Sequence, residues 1–480
     1  MAKNIDSKSV GGKTADVVVV MVPLPAQGHL NQLLHLSHII SGYGLPVHFI
    51  GTSSRNRQAQ VRLHGWDPKI TSKIQFHNFL TPPNPPNPKS TTNKVPTQLI
   101  HSSLATFRLR EPIFELVKNL SSISNRVVVI YDFLMTYPIQ DVHSIPNAEL
   151  YCFQCVSAFT AYTYIWEMAG KPVMIDGEAL KDILPCRQGV LFSPELDEFV
   201  QIQSRSRKLS AGIIFNTSRV IEGEFVNVMA KEGHHSAEKH WAIGPFNPLD
   251  VNKRRRSESE KSHKCLEWID KQPTNSVILV SFGTTTSLSD KEIEEIAIGL
   301  VNSGAKFIWV LMDADRGEVV VGEHRGSNLP EGYEERIIKE GKGLILRDWA
   351  PQLEILAHSS TGGFMSHCGW NSCIESISYG VPMAAWPMHS DQPRNAILVT
   401  KYLKIGIRVG DWGHEGELVK ADEVERVVKK LMDSKEGDQM RKKAAKLRDT
   451  IKKSVEKGGD DDDDEAIGTE MDAFIAHLSR

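Results

Sequence analysis

Nothing in this chain approaches the ~20 consecutive apolar residues that a membrane-spanning helix needs, so no transmembrane segment is expected. Cysteine is sparse. The six, at 152, 155, 186, 265, 368 and 373, have no disulfide-framework spacing, which points to a reducing compartment and a cytoplasmic protein. Cys152-Phe153-Gln154-Cys155 is a lone CxxC inside an apolar strand pattern. With no second pair it reads as buried structural thiols, not as a zinc or redox site. Neither sign of charge prevails: 56 Lys and Arg stand against 59 Asp and Glu, so no general attraction to nucleic acid follows. A Gly-x-Gly-x-x-Gly turn is also missing after the first strand pattern, where Pro23-Leu24-Pro25-Ala26-Gln27-Gly28-His29 stands instead. That argues against a dinucleotide-dependent oxidoreductase.

What is present is α/β alternation, met twice. Lys3, Lys8 and Lys13 precede the apolar run Val17–Val22, an arrangement that imitates a signal peptide. Asp16 abuts the run and Pro23 and Pro25 break it, so it reads as a first buried strand. Leu30, Leu33, Leu34, Ser37 and Ile40 then follow at helical spacing, and Leu45–Ile50 is the next strand. Further strands are expected at Arg126–Tyr131, Glu149–Val156, Ala211–Asn216 and Trp241–Pro245, and a helical pattern over Leu99–Leu120 is interrupted at Pro112. Asn247–Lys264, with its Lys253-Arg254-Arg255-Arg256 run, reads as a solvated linker. After it the alternation restarts with strands at Ser276–Phe282 and Lys306–Leu311 and a capping box at Ser289–Glu292. The Pro/Asn-rich stretch Thr81–Pro88 and the acidic run Asp460–Glu465 read as solvated loops. Asp313-Ala314-Asp315 imitates a metal-binding DxD but lies in an apparent surface insertion and is discounted.

One 44-residue stretch, Trp349–Gln392, organises the second half. Gly362–Ser366 reads as a strand end, His367-Cys368-Gly369-Trp370 as a turn, Asn371–Tyr379 as a helix stopped by Gly380 and Pro382, and Val381–Trp386 as the next strand. A strand, tight turn and helix N-terminus make a natural anion site, because unpaired N–H groups and the helix dipole face outward there. His367, Asn371 and Ser372 sit at that end, so a phosphate is the expected ligand. Plainer readings stand beside this one. Ser372–Glu375 also fits a capping box, and Trp349 and His367 also fit ordinary core residues. In the first half, His29 fits a surface histidine and Asp132 a cap on the next element.

The stretch resembles, end to end, the plant secondary-product glycosyltransferase box, the signature of plant family 1 UDP-dependent glycosyltransferases. It includes WAPQ at Trp349–Gln352, HCGWNS at His367–Ser372 and the closing Asp391-Gln392. The segments AQGHLNQLLHLS, VHFIG and NRQAQVRLHGW look similar to zeatin O-glucosyltransferases in particular, although many family members carry Pro at the place of Gln32. The resemblance implies a GT-B fold, two Rossmann-like domains facing across a cleft. The acceptor domain would cover 1–250, the linker 251–262 and the UDP-sugar domain 263–464, with a C-terminal helix at about 465–480 returning to the first domain.

The resemblance also implies roles. Trp349 stacks on uracil and the Ala350 backbone bonds its edge. Gln352 and Glu375 meet the ribose. His367, Asn371 and Ser372 take the phosphates, faced by Ser281, Gly283 and Thr284. Trp370, Asp391 and Gln392 bond the sugar, the terminal Gln going with glucose. His29 is the general base and Asp132 its partner. Cys155 falls where many relatives have a sugar-bonding Thr, a role a thiol fills poorly and Ser157 is placed to take over. The expected reaction is inverting transfer of glucose, alternatively xylose, from the UDP-sugar to a hydroxyl of a small acceptor. A cytokinin is favoured over flavonoids, phenols or terpenoid alcohols. No metal or cofactor is expected, and the chain is expected to be a monomer. A non-catalytic UDP-sugar sensor would keep the box but lose the base; His29 and Asp132 are both present.

Overall fold

A computed structural model describes residues 15–63, 66–80, 97–168, 194–205, 210–232, 239–249, 263–284, 286, 288–311, 329–410, 417–456 and 467–480. The linker 251–262, the Asp313/Asp315 pair, the Pro/Asn-rich stretch and the acidic run fall outside these residues. So does Cys186.

The run Val17–Val22 shows how the first half is built. Val17, Val19 and Met21 enter one apolar cluster with the helix Gln27–Gly42, while Val18, Val20 and Val22 enter another with the helix Arg110–Ile123. Side chains alternate across a strand, so an unbroken apolar run requires cover on both faces. This strand, β1 (Ala15–Val22), joins β2 (Val47–Thr52), β3 (Ile74–Phe79), β4 (Ser124–Asp132), β5 (Ala148–Gln154), β6 (Gly212–Phe215) and β7 (Lys239–Ala242). They form a parallel sheet ordered β3-β2-β1-β4-β5-β6-β7. The second half repeats the plan with β8 (Val277–Ser281), β9 (Lys306–Val310), β10 (Gly343–Leu346), β11 (Thr361–Ser366), β12 (Met383–Ala385) and β13 (Gly406–Arg408), ordered β10-β9-β8-β11-β12-β13. There Val277 and Leu279 face one cluster and Ile278 and Val280 the other.

Each sheet reverses its winding once, between β1 and β4 and between β8 and β11. At such a switch point the loops leaving adjacent strands diverge and open a crevice at the carboxyl edge. Val22 pairs with Tyr131, and Ser281 with Ser366. The loops after each strand pair therefore emerge side by side.

Several local expectations change. The break in the Leu99–Leu120 pattern is a 3-10 turn at Thr106–Leu109, and Pro112 sits in the first turn of the helix Arg110–Ile123. Proline is tolerated there because the first N–H groups of a helix lack intrahelical partners. Asp132 is the last residue of its strand instead of following it. The edge strands β3 and β10 and the short β13 were not apparent in the sequence. β3 reads IQFHNF, a polar edge pattern, and β13 has three residues. The capping box at Ser289 and Glu292 is present, with bonds of 3.3 and 2.8 Å.

The last helix, Ile467–Leu478, belongs to the first half in space. Phe474 and Leu478 are buried in the cluster that holds Val17 and Met21. Glu470 accepts two bonds from Arg219, each 3.0 Å, and one from the Ala242 N–H at 2.8 Å. No helix among the described residues is long and apolar enough to cross a membrane.

Candidate active site

His29 lies in the first turn of the helix that leaves β1, and Asp132 ends β4. Because β1 and β4 are neighbours, the two side chains meet: His29 Nδ1 is 2.6 Å from Asp132 Oδ2. The carboxylate is fully buried and the imidazole about a quarter exposed. Asp132 also acts as a cap, its Oδ1 accepting from the Leu134 N–H at 2.9 Å. Both readings of this aspartate therefore hold, one on each oxygen. Oδ2 takes a third donor, the Cys155 thiol, at 2.8 Å.

A proton on Nδ1 shared with the carboxylate leaves Nε2 as the basic nitrogen. Burial works against a charged ring here. The Asp132 charge and hydrogen bond, with Asp391 adding to them, outweigh it and raise the His29 pKa above 6.5. Burial, with the Asp132 charge, pushes the Cys155 thiol up, so it stays a neutral donor. His29, Asp132 and Cys155 also offer three potential metal-ligand atoms within 4.8 Å of one another.

Across from this pair stands the helix Trp370–Tyr379, whose N-cap is Gly369 with no capping side chain. It begins one residue earlier than expected, and the Ser372–Glu375 capping box is not made. Instead Glu375 accepts from Gln352 Nε2 at 2.6 Å, and burial pushes its carboxyl up to about 7 against that bond. The first-turn N–H groups are left for a ligand. His367, at the carboxyl edge of β11, is buried, and burial, then His389, pushes it down to about 3. It is therefore a neutral hydrogen-bonding group. Its ring is wedged between two glycines. A Cβ on Gly283 (φ +74°) would come within 2.6 Å of the ring, and one on Gly369 within 2.5 Å. Ser281 is buried at the end of β8, and Thr284 is exposed beyond Gly283. Ala350 is buried, while Trp349 beside it is 65% exposed. Cys368 (φ 63°) and Ser390 (φ 58°) hold left-handed backbone without being glycine, a strain that collects at ligand-binding turns.

The two halves touch through residues of the site itself. Asn371 Nδ2 donates to the Gly28 carbonyl at 2.9 Å, next to His29. Trp370 requires a correction. Its indole N–H, the only side-chain donor it has, goes to the Asn216 carbonyl at 3.0 Å, and the ring is buried. The side chain joins the halves, and its indole N–H is already taken. Ser157 requires another. It is buried, 2.8 Å from Asn395 Oδ1, and does not take over for Cys155. Asp391 carries a carboxylate whose pKa is raised by burial, against a bond from Asn395 and the nearby charge of His29. Gln392 Oε1 accepts from the Met388 and His389 N–H groups at 2.8 and 3.0 Å, and its amide nitrogen, 3.4 Å from His389 Nδ1, keeps one N–H for a ligand.

Three contributors were not singled out by their sequence pattern. Gln32 is buried on the His29 helix. It donates to the Cys155 carbonyl at 2.9 Å and accepts from Asn216 Nδ2 at 3.1 Å. Asn216 and Asn395 complete the set. A helical stripe with one polar residue gives no sign that the residue faces a strand end.

The arrangement has a pH signature. If His29 must be neutral to accept a proton, kcat/KM falls as pH drops through its raised pKa. Asp132→Asn removes the charge that raises it. The acid limb is expected to move to lower pH, with the plateau rate about 10²–10⁴-fold down. A limb that stays in place in a pH–rate series would rule out the pairing as the source of the basicity.

Comparison with known proteins agrees with this geometry. Residues 15–248 match the family model described as glycosyltransferase, N-terminal domain, and residues 250–436 match UDP-glucoronosyl and UDP-glucosyl transferase. The chain is 50% identical to zeatin O-xylosyltransferase of Phaseolus vulgaris, over 97% of this chain and 98% of that one. It is 48% identical to zeatin O-glucosyltransferase of Phaseolus lunatus, over 99% and 100%. Among solved structures, Phytolacca americana UGT2 complexed with UDP-2fluoro-glucose and pterostilbene superimposes with a TM-score of 0.73 at 26% identity, covering 97% of this chain and 100% of that one. Two parallel sheets with apposed switch points, a His–Asp pair on one and an uncapped helix end on the other, are the GT-B plan, and the chain belongs to the plant family 1 UDP-dependent glycosyltransferases.

Proposed function

We propose that this UDP-glycosyltransferase moves glucose from UDP-glucose, with inversion at the anomeric carbon, to the side-chain hydroxyl of a cytokinin. The observation that carries the reading is the 2.6 Å His29–Asp132 pair, tied through Gly28 to the helix that starts at Trp370. His29 Nε2 removes the acceptor proton, and Asp132 holds the tautomer and stabilises the imidazolium. The alcohol oxygen forms its bond to the anomeric carbon as the bond to the UDP oxygen breaks. The departing diphosphate gains negative charge at the helix N-terminus, flanked by His367, Asn371 and Ser372 and faced by Ser281, Gly283 and Thr284. Preorganised N–H donors of this kind stabilise developing charge without a metal. Trp349 and Ala350 hold the uracil, Gln352 and Glu375 the ribose, and Asp391 and the amide of Gln392 the sugar.

The acceptor assignment is supported by the zeatin O-glycosyltransferases at about half identity along nearly the whole chain. One uses a xylosyl and the other a glucosyl name, so UDP-xylose is the second donor to test. Both sides of the cleft come from one chain, consistent with a working monomer, and the five described cysteines are free, which supports a cytoplasmic location. Mass spectrometry of products formed with UDP-glucose and UDP-xylose, over zeatins, flavonoids, phenols and terpenoid alcohols, tests the proposal. A hexosylated zeatin, formed equally in EDTA, is expected. Transfer only to another acceptor class would replace the cytokinin, loss in EDTA would end the metal-free step, and no transfer at all would favour a sugar-nucleotide sensor.

A further inference from the structure

Asn395 is completely buried in the helix Gln392–Ile397, one turn after Asp391. All four hydrogen-bonding positions of its amide are occupied. Nδ2 donates to Asp391 Oδ2 at 2.7 Å and to the Cys368 carbonyl at 2.9 Å. Oδ1 lies 2.8 Å from Ser157 Oγ and 3.0 Å from Thr160 Oγ1. The amide orientation follows from chemistry: a carboxylate and a carbonyl accept, and hydroxyls donate, with Ser157 Oγ also 2.8 Å from Thr160 Oγ1 and its one proton shared between the two contacts. The partners divide between the halves. Asp391 and Cys368 belong to the second, on the turns after β12 and β11. Ser157 and Thr160 belong to the first, at the start of the helix Ala158–Met168 that follows β5. A second clamp lies alongside, where Arg394 pairs with Glu167 at 2.7 Å and covers the Tyr164 ring at 4.0 Å.

We infer that Asn395 is a positioning residue that sets the Asp391 carboxylate for the donor sugar, and that it does so through hydroxyls supplied by the acceptor-side half. The inference rests on the reading that Asp391 meets the sugar. Asp391 has two oxygens. Asn395 occupies Oδ2, and a sugar hydroxyl would meet the carboxylate at Oδ1, although the residue's own backbone N–H also bonds this carboxylate. Without the amide, the carboxylate is free to rotate about its own bond. A satisfied buried amide has one orientation, so the carboxylate inherits one too. The first-half hydroxyls keep the amide in place, and docking of the halves and aim of the carboxylate become one event.

The test compares three variants by KM for UDP-glucose, kcat, the dissociation constant of plain UDP and the melting temperature. Asn395→Ala is expected to raise KM for UDP-glucose about tenfold, the size of one lost charge-assisted bond. Plain UDP, which has no sugar, should bind as before. The double variant S157A/T160V leaves the Asn395–Asp391 bond in place and removes the first-half donors, together with the Ser157 acceptor for the Thr160 N–H at 3.0 Å, so its melting temperature is read beside KM. It should raise the same KM several-fold, and it decides the matter if Asn395→Ala does not fold. Unchanged KM in a folded S157A/T160V protein would overturn the coupling, and equal loss of UDP and UDP-glucose affinity would reduce Asn395 to a packing residue. Asp391→Asn separates the two readings. If it leaves UDP-glucose affinity intact, the sugar assignment of Asp391 fails. If it weakens binding while the other variants do not, only the role of Asn395 fails.

Discussion

His29→Ala is expected to cut kcat by about 10²–10⁴-fold, the contribution of a positioned general base to activating an alcohol. The dissociation constant of UDP should stay within about twofold, because nothing in the first half is asked to hold the nucleotide. The division follows from the fold. His29 stands in the first turn of the helix after β1 and the helix proposed to face the phosphates follows β11, so the proposed base and the proposed nucleotide site sit on different sheets. The variant removes one imidazole, about a quarter exposed, and leaves Asp132 with two donors, the Leu134 N–H and the Cys155 thiol. Asp132 therefore remains hydrogen-bonded and the fold should persist. Calorimetric titration with UDP, beside initial rates, reads both quantities. Equal loss of transfer and UDP affinity in a folded variant would refute the separation of roles.

Trp349→Ala should do the reverse. A tryptophan that is 65% exposed contributes little to the core, so the melting temperature should barely move. Stacking of a base on an aromatic ring is worth about 1–3 kcal/mol, so UDP affinity and KM for the donor should worsen by about 5–150-fold. Saturating donor should restore most of kcat, since the ring does not touch the reacting atoms. Phenylalanine at 349 should recover part of the affinity and leucine little, which tests a flat π face against mere bulk. Unchanged UDP binding in Trp349→Ala would place the base elsewhere and take the ribose assignment of Gln352 and Glu375 with it.

Local pattern carried much of this. The Val17–Val22 run declares a strand covered on both faces, and such strands imply a parallel sheet with a ligand edge. The turn His367-Cys368-Gly369 before a helix stopped by Gly380 declares a helix N-terminus at the end of a strand, because those residue types leave few other backbone paths. Gly380 does hold the left-handed conformation, at φ 71°. Position alone left His29 and Asp132 as plausible surface and capping residues. They are 103 residues apart, and only the strand order, with β4 beside β1, puts them in contact.

Other parts depended on distance in space rather than along the chain. Trp370 seemed free for the sugar until the first half offered the Asn216 carbonyl to its one side-chain donor. Ser157 seemed a stand-in for a missing threonine until Asn395 claimed it. Cys155 seemed an inert thiol until β5 carried it to the oxygen that His29 already shares. By itself the amino-acid order determined the two alternating halves and the turn that opens a helix after His367, because each follows from backbone preference or apolar period within a few residues. The tertiary structure alone decided which donor satisfies which acceptor across the cleft. A buried polar group must bond whatever the folded chain brings within about 3 Å, and local sequence does not encode that neighbour.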